Sequence, residues 1–208
     1  MMVYLVCLRN YNVSNYCKKL NLPSKFTPNI DLTQWNTEGL NWIQFHKILQ
    51  PSDLNNDYLL EFLESLGLTS RWIEVFYTPP KQKGVIHSDN ADKIEWSKLY
   101  FQFGANGSTM RWWDSDSVQE VSTASGHGGD RTDKHYHGQV LIADEENSTI
   151  IHEADLQTPH IVNVGQLHSS YNPTSEKRFV VTLALFDLHN QRLLWKDAMK
   201  KFEEYYDN

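Results

Sequence analysis

Cysteine is scarce in this chain. Cys7 and Cys17 are the only two among 208 residues. A pair so close in sequence makes no disulfide framework, so a reducing compartment, the cytoplasm, is expected. Runs of basic residues are absent as well. Lys and Arg number 19 against 26 Asp and Glu, a formal net charge of −7. Nucleic-acid backbones are gripped by clustered cations, so a nucleic-acid partner is not expected. No stretch approaches the roughly 18 apolar residues of a membrane-spanning helix, and no membrane association is expected. The opening MMVYLVCLRNY has a short apolar run and no basic leader, which gives no expectation of a secretion signal. Internal repeats and low-complexity tails are missing. So is HExxH or any comparable base motif, which speaks against a zinc hydrolase.

What the chain does hold is aromatic and apolar. Seven Trp, 10 Tyr and 9 Phe, within 40% hydrophobic residues, suffice for one sizeable core, and a single domain over residues 1–208 is expected. Leu54, Tyr58, Leu59, Phe62, Leu63 and Leu66 fall at helical spacing. The pattern predicts a flanking helix over 52–66, with Ser52 as N-cap, Asp53 in the first turn and Gly67 at C′. From Arg71 onwards the period changes to two, or to continuous apolar runs. These are Trp72–Tyr77, Val85–Ile86, Ile94–Phe103, Met110–Trp113, Val140–Ile142, Ile150–His152, Ile161–Val164 and Phe179–Phe186. Short strands broken by Gly, Pro or Asn predict an all-β barrel or sandwich, with a core of about 71–188. Leu194, Ala198, Phe202 and Tyr205 return to helical spacing and predict a second flanking helix over 190–206, covering a sheet edge or face. Val3–Leu8 reads as a further strand. Residues 10–40 show no clear period, and Trp42, Phe45, Ile48 and Leu49 suit helix or strand.

The stretch from Pro159 to Leu185, PHIVNVGQLHSSYNPTSEKRFVVTLAL, carries the chemistry. It reads as two strands joined by a polar loop, with His168 after the first strand and Arg178 opening the second. Upstream stands IHSDN. On a strand, residues i and i+2 share a face, so His87 and Asp89 can aim at one point with Ser88 turned away. A His-x-Asp alone is weak, since nine histidines make chance matches common. The order and strand-end placement of His87, Asp89 and His168 make it stronger. Two imidazoles and one carboxylate on one face of a metal leave open positions, the arrangement of non-haem Fe(II) oxygenases. Arg178 follows His168 by ten residues. An antiparallel hairpin would bring its guanidinium back to the same cavity, to hold a carboxylate with two charge-assisted hydrogen bonds, unless it pairs with Glu176. Tyr100 and Gln102 share one strand face and Leu99, Phe101 and Phe103 the other. Trp112 and Trp113 read as core or cavity wall. The segment Gly126–Gly138 holds His127, His135 and His137. It reads as a loop over the barrel mouth, with His135-x-His137 as a conceivable second metal site.

His87-x-Asp89, His168 and Arg178 together resemble the Fe(II)/2-oxoglutarate-dependent dioxygenase superfamily. VNVGQLHSSYNPTSEKRFVVTLAL and LYFQFGANGSTMRWWD are similar to segments of its prolyl-hydroxylase-like and phage-encoded branch. The resemblance covers about Val75 to Phe186. It implies a mainly β fold, a double-stranded β-helix (jelly roll, cupin-like) with flanking helices. It implies Fe(II) on His87, Asp89 and His168, with 2-oxoglutarate and dioxygen as small-molecule partners. A hydroxylase acting on an unidentified substrate, such as a peptidyl side chain, follows. Arg178 would hold the far carboxylate of the co-substrate. Many relatives carry Ser or Thr two residues after the arginine, where this chain has Val180. Thr182 or an aromatic hydroxyl is then the substitute. Either Tyr100 or Gln102 could reach the second end of the co-substrate or the metal-bound water, with packing in the core or rim as the alternative. The alternative is a non-catalytic cupin-like protein that binds a metal or small ligand, for which Arg178 would have no use.

Overall fold

The computed structural model describes residues 15–32, 37, 46–122 and 139–207. The expected strand Val3–Leu8, Trp42, Phe45 and the His-rich segment Gly126–Gly138 lie outside them. In chain order the elements begin with β1 (Cys17–Lys19), β2 (His46–Leu49), α1 (Asp57–Ser65) and β3 (Leu68–Thr78). There follow β4 (Gln82–Lys83), β5 (Ile86–His87), β6 (Ser97–Phe103), β7 (Thr109–Ser115), β8 (Val118–Ser122) and β9 (Gln139–Ala143). The last are β10 (Ser148–Asp155), β11 (His160–Asn163), β12 (His168–Asn172), β13 (Arg178–Asp187) and α2 (Trp195–Lys201).

The strands form two antiparallel sheets. One runs β1-β11-β6-β13-β3-β2 and the other β10-β7-β12-β5-β9-β8, with β4 attached to β12. From β10 onwards successive strands change sheet each time. This wrapping of one sheet over another is a mainly β jelly roll of the cupin-like kind. It corrects the expected hairpin. β11 and β13 are not neighbours but flank β6 on either side, and the chain between them crosses to the opposite sheet as β12. HSSYN shows no apolar alternation, so it reads as a turn in the sequence although it pairs as a strand. β1 and the largely exposed β8 were likewise invisible to hydrophobic patterning.

The pleat sorts the side chains into layers. Ile73, Val75, Leu99, Phe101, Ile161, Val181, Leu183 and Leu185 form the outer face of the first sheet. Leu59, Phe62 and Leu63 of α1, with Trp195, Ala198 and Phe202, cover it. Each such buried side chain contributes about 1.5–3 kcal/mol, which is what anchors the helices there. Between the sheets lie Tyr100, Val162, Val180, Met110 and Trp112. Trp113 faces outward, packed with Ile86, Leu141, Ala143 and Leu167.

Both helices are shorter than their spacing suggests. Pro51–Leu54 forms a 3-10 turn that ends at Asn55, whose φ of 47° is left-handed. Asn tolerates that conformation, and it breaks the helical path. The N-cap of α1 is therefore Asn56, not Ser52; its side chain accepts a hydrogen bond from the Leu59 N–H at 3.0 Å. At the other end, Arg192 bridges Phe186 and Leu194 bridges Trp96. With that backbone committed to strand pairing, the helix begins only at Trp195.

Candidate metal centre

β5 and β12 place His87 and His168 directly opposite each other, the close cross-strand pairing of an antiparallel ladder. Their rings lie 4.5 Å apart, centroid to centroid. Asp89 sits two residues beyond, where the chain leaves β5 and its N–H donates to Val164 O at 2.9 Å. Ser88 turns away as expected: its hydroxyl donates to Asn90 O at 2.6 Å and accepts from Leu141 N–H at 3.2 Å. Gly165 supports this corner. A Cβ there would meet Ile94 O at 2.1 Å, so only glycine lets the turn between β11 and β12 press against the segment after Asp89. Asn90 ties that segment further, with its amide bonded to both N–H and C=O of Ile94.

Both imidazoles are oriented by the backbone. The Nδ1 of His87 lies 3.0 Å from Val85 O, and that of His168 lies 2.8 Å from Gln166 O. A carbonyl only accepts, so Nδ1 carries the proton and Nε2 presents its lone pair. This is the outer-shell arrangement that supports a metal-binding histidine. Each Nε2 lies 3.8 Å from Oδ1 of Asp89, and the ligand atoms all fall within 4.8 Å of one another. A metal about 2.0–2.2 Å from each atom would draw them to roughly 3 Å apart, a closure that side-chain rotation supplies. The three residues can hold one metal ion on one face.

Electrostatics favour that state. Burial by itself would raise the Asp89 carboxyl, but Lys98, with His168 and His87, outweighs it and holds the group well below the usual carboxylate range. Burial, with His87 alongside, lowers His168 to about 4, so it is neutral near pH 7. An anionic carboxylate and neutral imidazoles are the forms a metal needs.

Arg178 opens β13 on the inner face, 2% exposed. Its Nε donates to Gln102 Oε1 at 3.0 Å, one terminal nitrogen to Thr78 Oγ1 at 3.3 Å, and the other to the Tyr100 hydroxyl. Glu176 is exposed and is not its partner. Among the described residues no carboxylate pairs with this guanidinium. The Gln102 amide is spent on Arg178 and on Ser108, to which it donates at 2.8 Å, so it orients the arginine. Thr182 lies elsewhere on the face, with its hydroxyl donating to Glu74 at 3.2 Å. The hydroxyls beside the guanidinium come from Thr78 and Tyr100. Asn172, fully buried, ties the start of β13 to the end of β3 by donating its two amide hydrogens to Glu176 O at 2.8 Å and Pro79 O at 3.1 Å.

Lys98, Tyr100 and Gln102 succeed one another along the inner face of β6. Lys98 touches Asp89 at 2.6 Å, and the other two touch Arg178. Same-face residues on a strand are about 7 Å apart, so the contact to Asp89 and the contacts to Arg178 lie within small-molecule length of each other along β6. Sequence reading missed Glu74, Thr78 and Lys98. The signal was a charge standing inside each of two apolar strands.

No family model and no curated protein matches this chain. Similar solved structures include the nickel complex of the non-heme monooxygenase ThoJ, 15% identical over 65% of this chain and 53% of that chain, with a TM-score of 0.35. Oxalate oxidase in complex with the substrate analogue glycolate is 12% identical over 83% and 77%, with a TM-score of 0.34. Peruvianin-I, a cysteine peptidase from Thevetia peruviana latex, is 12% identical over 78% and 71%, with a TM-score of 0.32. A monooxygenase, an oxidase and a peptidase at such identities assign no chemistry to this chain, which spans little more than half of ThoJ.

Proposed function

We propose that the chain is a non-haem Fe(II)/2-oxoglutarate-dependent oxygenase, a hydroxylase of a second substrate such as a peptidyl side chain. The observation that carries this reading is the buried Arg178 guanidinium, held only by neutral side chains on the inner face of the sheet opposite the two histidines. A buried cation without a counter-ion is costly, and an arginine so placed calls for an anionic ligand. A dicarboxylate that chelates the metal at one end and reaches Arg178 at the other satisfies both features. A cupin-like metal binder has no need of the arginine.

The residues divide the work. His87, Asp89 and His168 would hold Fe(II) and leave its other face open. Arg178 would take the distal carboxylate through its remaining N–H donors, with Thr78 and Gln102 fixing the plane of the fork. Burial raises the Tyr100 phenol above its ordinary value. Tyr100 therefore keeps its proton, accepts from Arg178, and can donate its own O–H to the same carboxylate. Iron and 2-oxoglutarate, when bound, supply the oxidation: dioxygen is consumed, 2-oxoglutarate becomes succinate and carbon dioxide, and the second substrate gains one oxygen atom.

Such a site binds Zn, Ni and Cu more tightly than iron, so the protein is stripped with chelator and reloaded anaerobically with Fe(II). Succinate formed only with Fe(II), ascorbate, 2-oxoglutarate and dioxygen together is the expected result, increased by a peptide pool. Failure of the Fe(II) protein to bind 2-oxoglutarate or to form succinate would overturn the reading.

A further inference from the structure

The inner face carries a second charged group that the oxygenase reading does not use. The Lys98 ammonium is 5% exposed and lies 2.5 Å from Glu74 Oε2 and 2.6 Å from Asp89 Oδ2. Glu74 is 4% exposed, and Oε2 also accepts from Thr182 Oγ1 at 3.2 Å. The four residues make one chain, from Thr182 on β13 through Glu74 on β3 and Lys98 on β6 to Asp89. Buried ion pairs are weak stabilisers, and apolar residues of similar volume often do as well or better. Their presence in the middle of the sheet therefore asks for another role.

The two carboxylate oxygens of Asp89 are not equivalent. Oδ1 is the atom 3.8 Å from both imidazole Nε2 atoms, whereas Oδ2 is the one held by Lys98. We propose that Lys98, anchored by Glu74 and Thr182, is a positioning residue that keeps Oδ2 from the metal, so that Asp89 offers a single oxygen. Without it, a carboxylate free to pivot can present both oxygens and consume one of the positions that a chelating co-substrate and dioxygen need. Glu74 sets the direction of the ammonium, and Thr182 sets the rotamer of Glu74. The inference rests on the metal reading of His87, Asp89 and His168, and its readout needs neither iron nor turnover.

Mn(II) takes six oxygen or nitrogen ligands and relaxes the protons of the exchangeable waters it carries. A three-ligand site with single-oxygen Asp89 leaves three water positions, and two-oxygen binding leaves two, so relaxivity differs by about one third. The wild-type protein loaded with Mn(II) is expected to show three. Lys98→Met/Glu74→Gln removes the pair together, so that neither member is left as a lone buried charge and the Asp89 carboxylate is met by Mn(II), and is expected to show two. Lys98→Arg keeps a cationic donor for Oδ2 and is expected to retain the wild-type value. Two positions in the wild type, or three in the double variant with Mn(II) bound, would overturn the proposal. If the double variant does not fold, two positions in the wild type still overturn it. Absence of Mn(II) binding to the wild type overturns this proposal and the metal reading alike. The 2-oxoglutarate reading fails separately: if adding the co-substrate leaves the wild-type relaxivity at three positions, Lys98 keeps its role and the oxygenase assignment is lost.

Discussion

Arg178 owes its significance to its surroundings as much as to its charge. Thr78, Tyr100 and Gln102 hold a planar fork in one orientation. Arg178→Lys keeps the charge and loses the fork, so the dissociation constant for 2-oxoglutarate should rise at least about tenfold, roughly 1.4 kcal/mol. Affinity for the metal should change little. An anaerobic titration of the Fe(II) protein, followed by its co-substrate-dependent visible band, checks both. His168 gives a second residue-level prediction. Its pKa in the folded protein is about 4, below the ordinary 6.5, because burial and His87 disfavour the imidazolium. The unfolded chain therefore takes up the proton first. The metal-free protein should have its full His168 contribution above pH 6.5 and lose it as the pH falls towards 4. Between pH 7 and 5 that amounts to about 2 kcal/mol. Urea unfolding at the two pH values should show a correspondingly smaller loss in His168→Gln. The residue types were legible: His87, Asp89, His168 and Arg178 stand out by order and spacing. Lys98 and Glu74 did not, because a charge within an apolar strand gives no hint of the partner it meets across the sheet.

At the level of elements, the spacing of apolar residues located most strands and both helices, while their ends were decided by backbone geometry. α1 tests this directly. Asn56 accepts from Leu59 N–H and donates to Lys25 O and Thr27 O. Asn56→Ala should cost about 1–2 kcal/mol in chemical denaturation. Ser52→Ala, at the cap position the sequence suggests, should stay within about 0.5 kcal/mol. The turn between β11 and β12 tests how elements deliver the site. Gly165→Ala puts a methyl group against the Ile94 carbonyl, a backbone atom that cannot rotate away. A stability loss of at least about 1–3 kcal/mol is expected. Because the same corner seats Asp89 against Val164 and leads into His168, Mn(II) affinity should fall with it, measured by titration calorimetry on the folded fraction.

For the whole molecule, the site is drawn from both sheets. His87 and His168 belong to one, Arg178, Tyr100 and Lys98 to the other, and Asp89 to the crossing between them. A ligand that spans the triad and the arginine therefore ties the two layers together. With metal present, 2-oxoglutarate at 100 times its dissociation constant should stabilise the fold by about 2.7 kcal/mol. Without metal it should give much less, since only the arginine end is held. Thermal melts with 2-oxoglutarate, with and without Mn(II), read this, and an equal shift in both would show that the dicarboxylate binds away from the triad. Among the described residues no helix is long and apolar enough to cross a membrane.

Composition and local pattern by themselves determined the β-rich core, the helices that cap it, and the three residues that could hold a metal. Those properties are written in single residues and in their spacing along one strand or one helix turn, so they can be read without a partner. Tertiary structure alone decided that β12 crosses to the opposite sheet, that His87 stands across from His168, and that Lys98 reaches Asp89 and Glu74. Each of these depends on which strands lie side by side and in what register. Register is a property of pairs of segments far apart in the chain, and a shift of one residue would turn every one of these side chains to the other face.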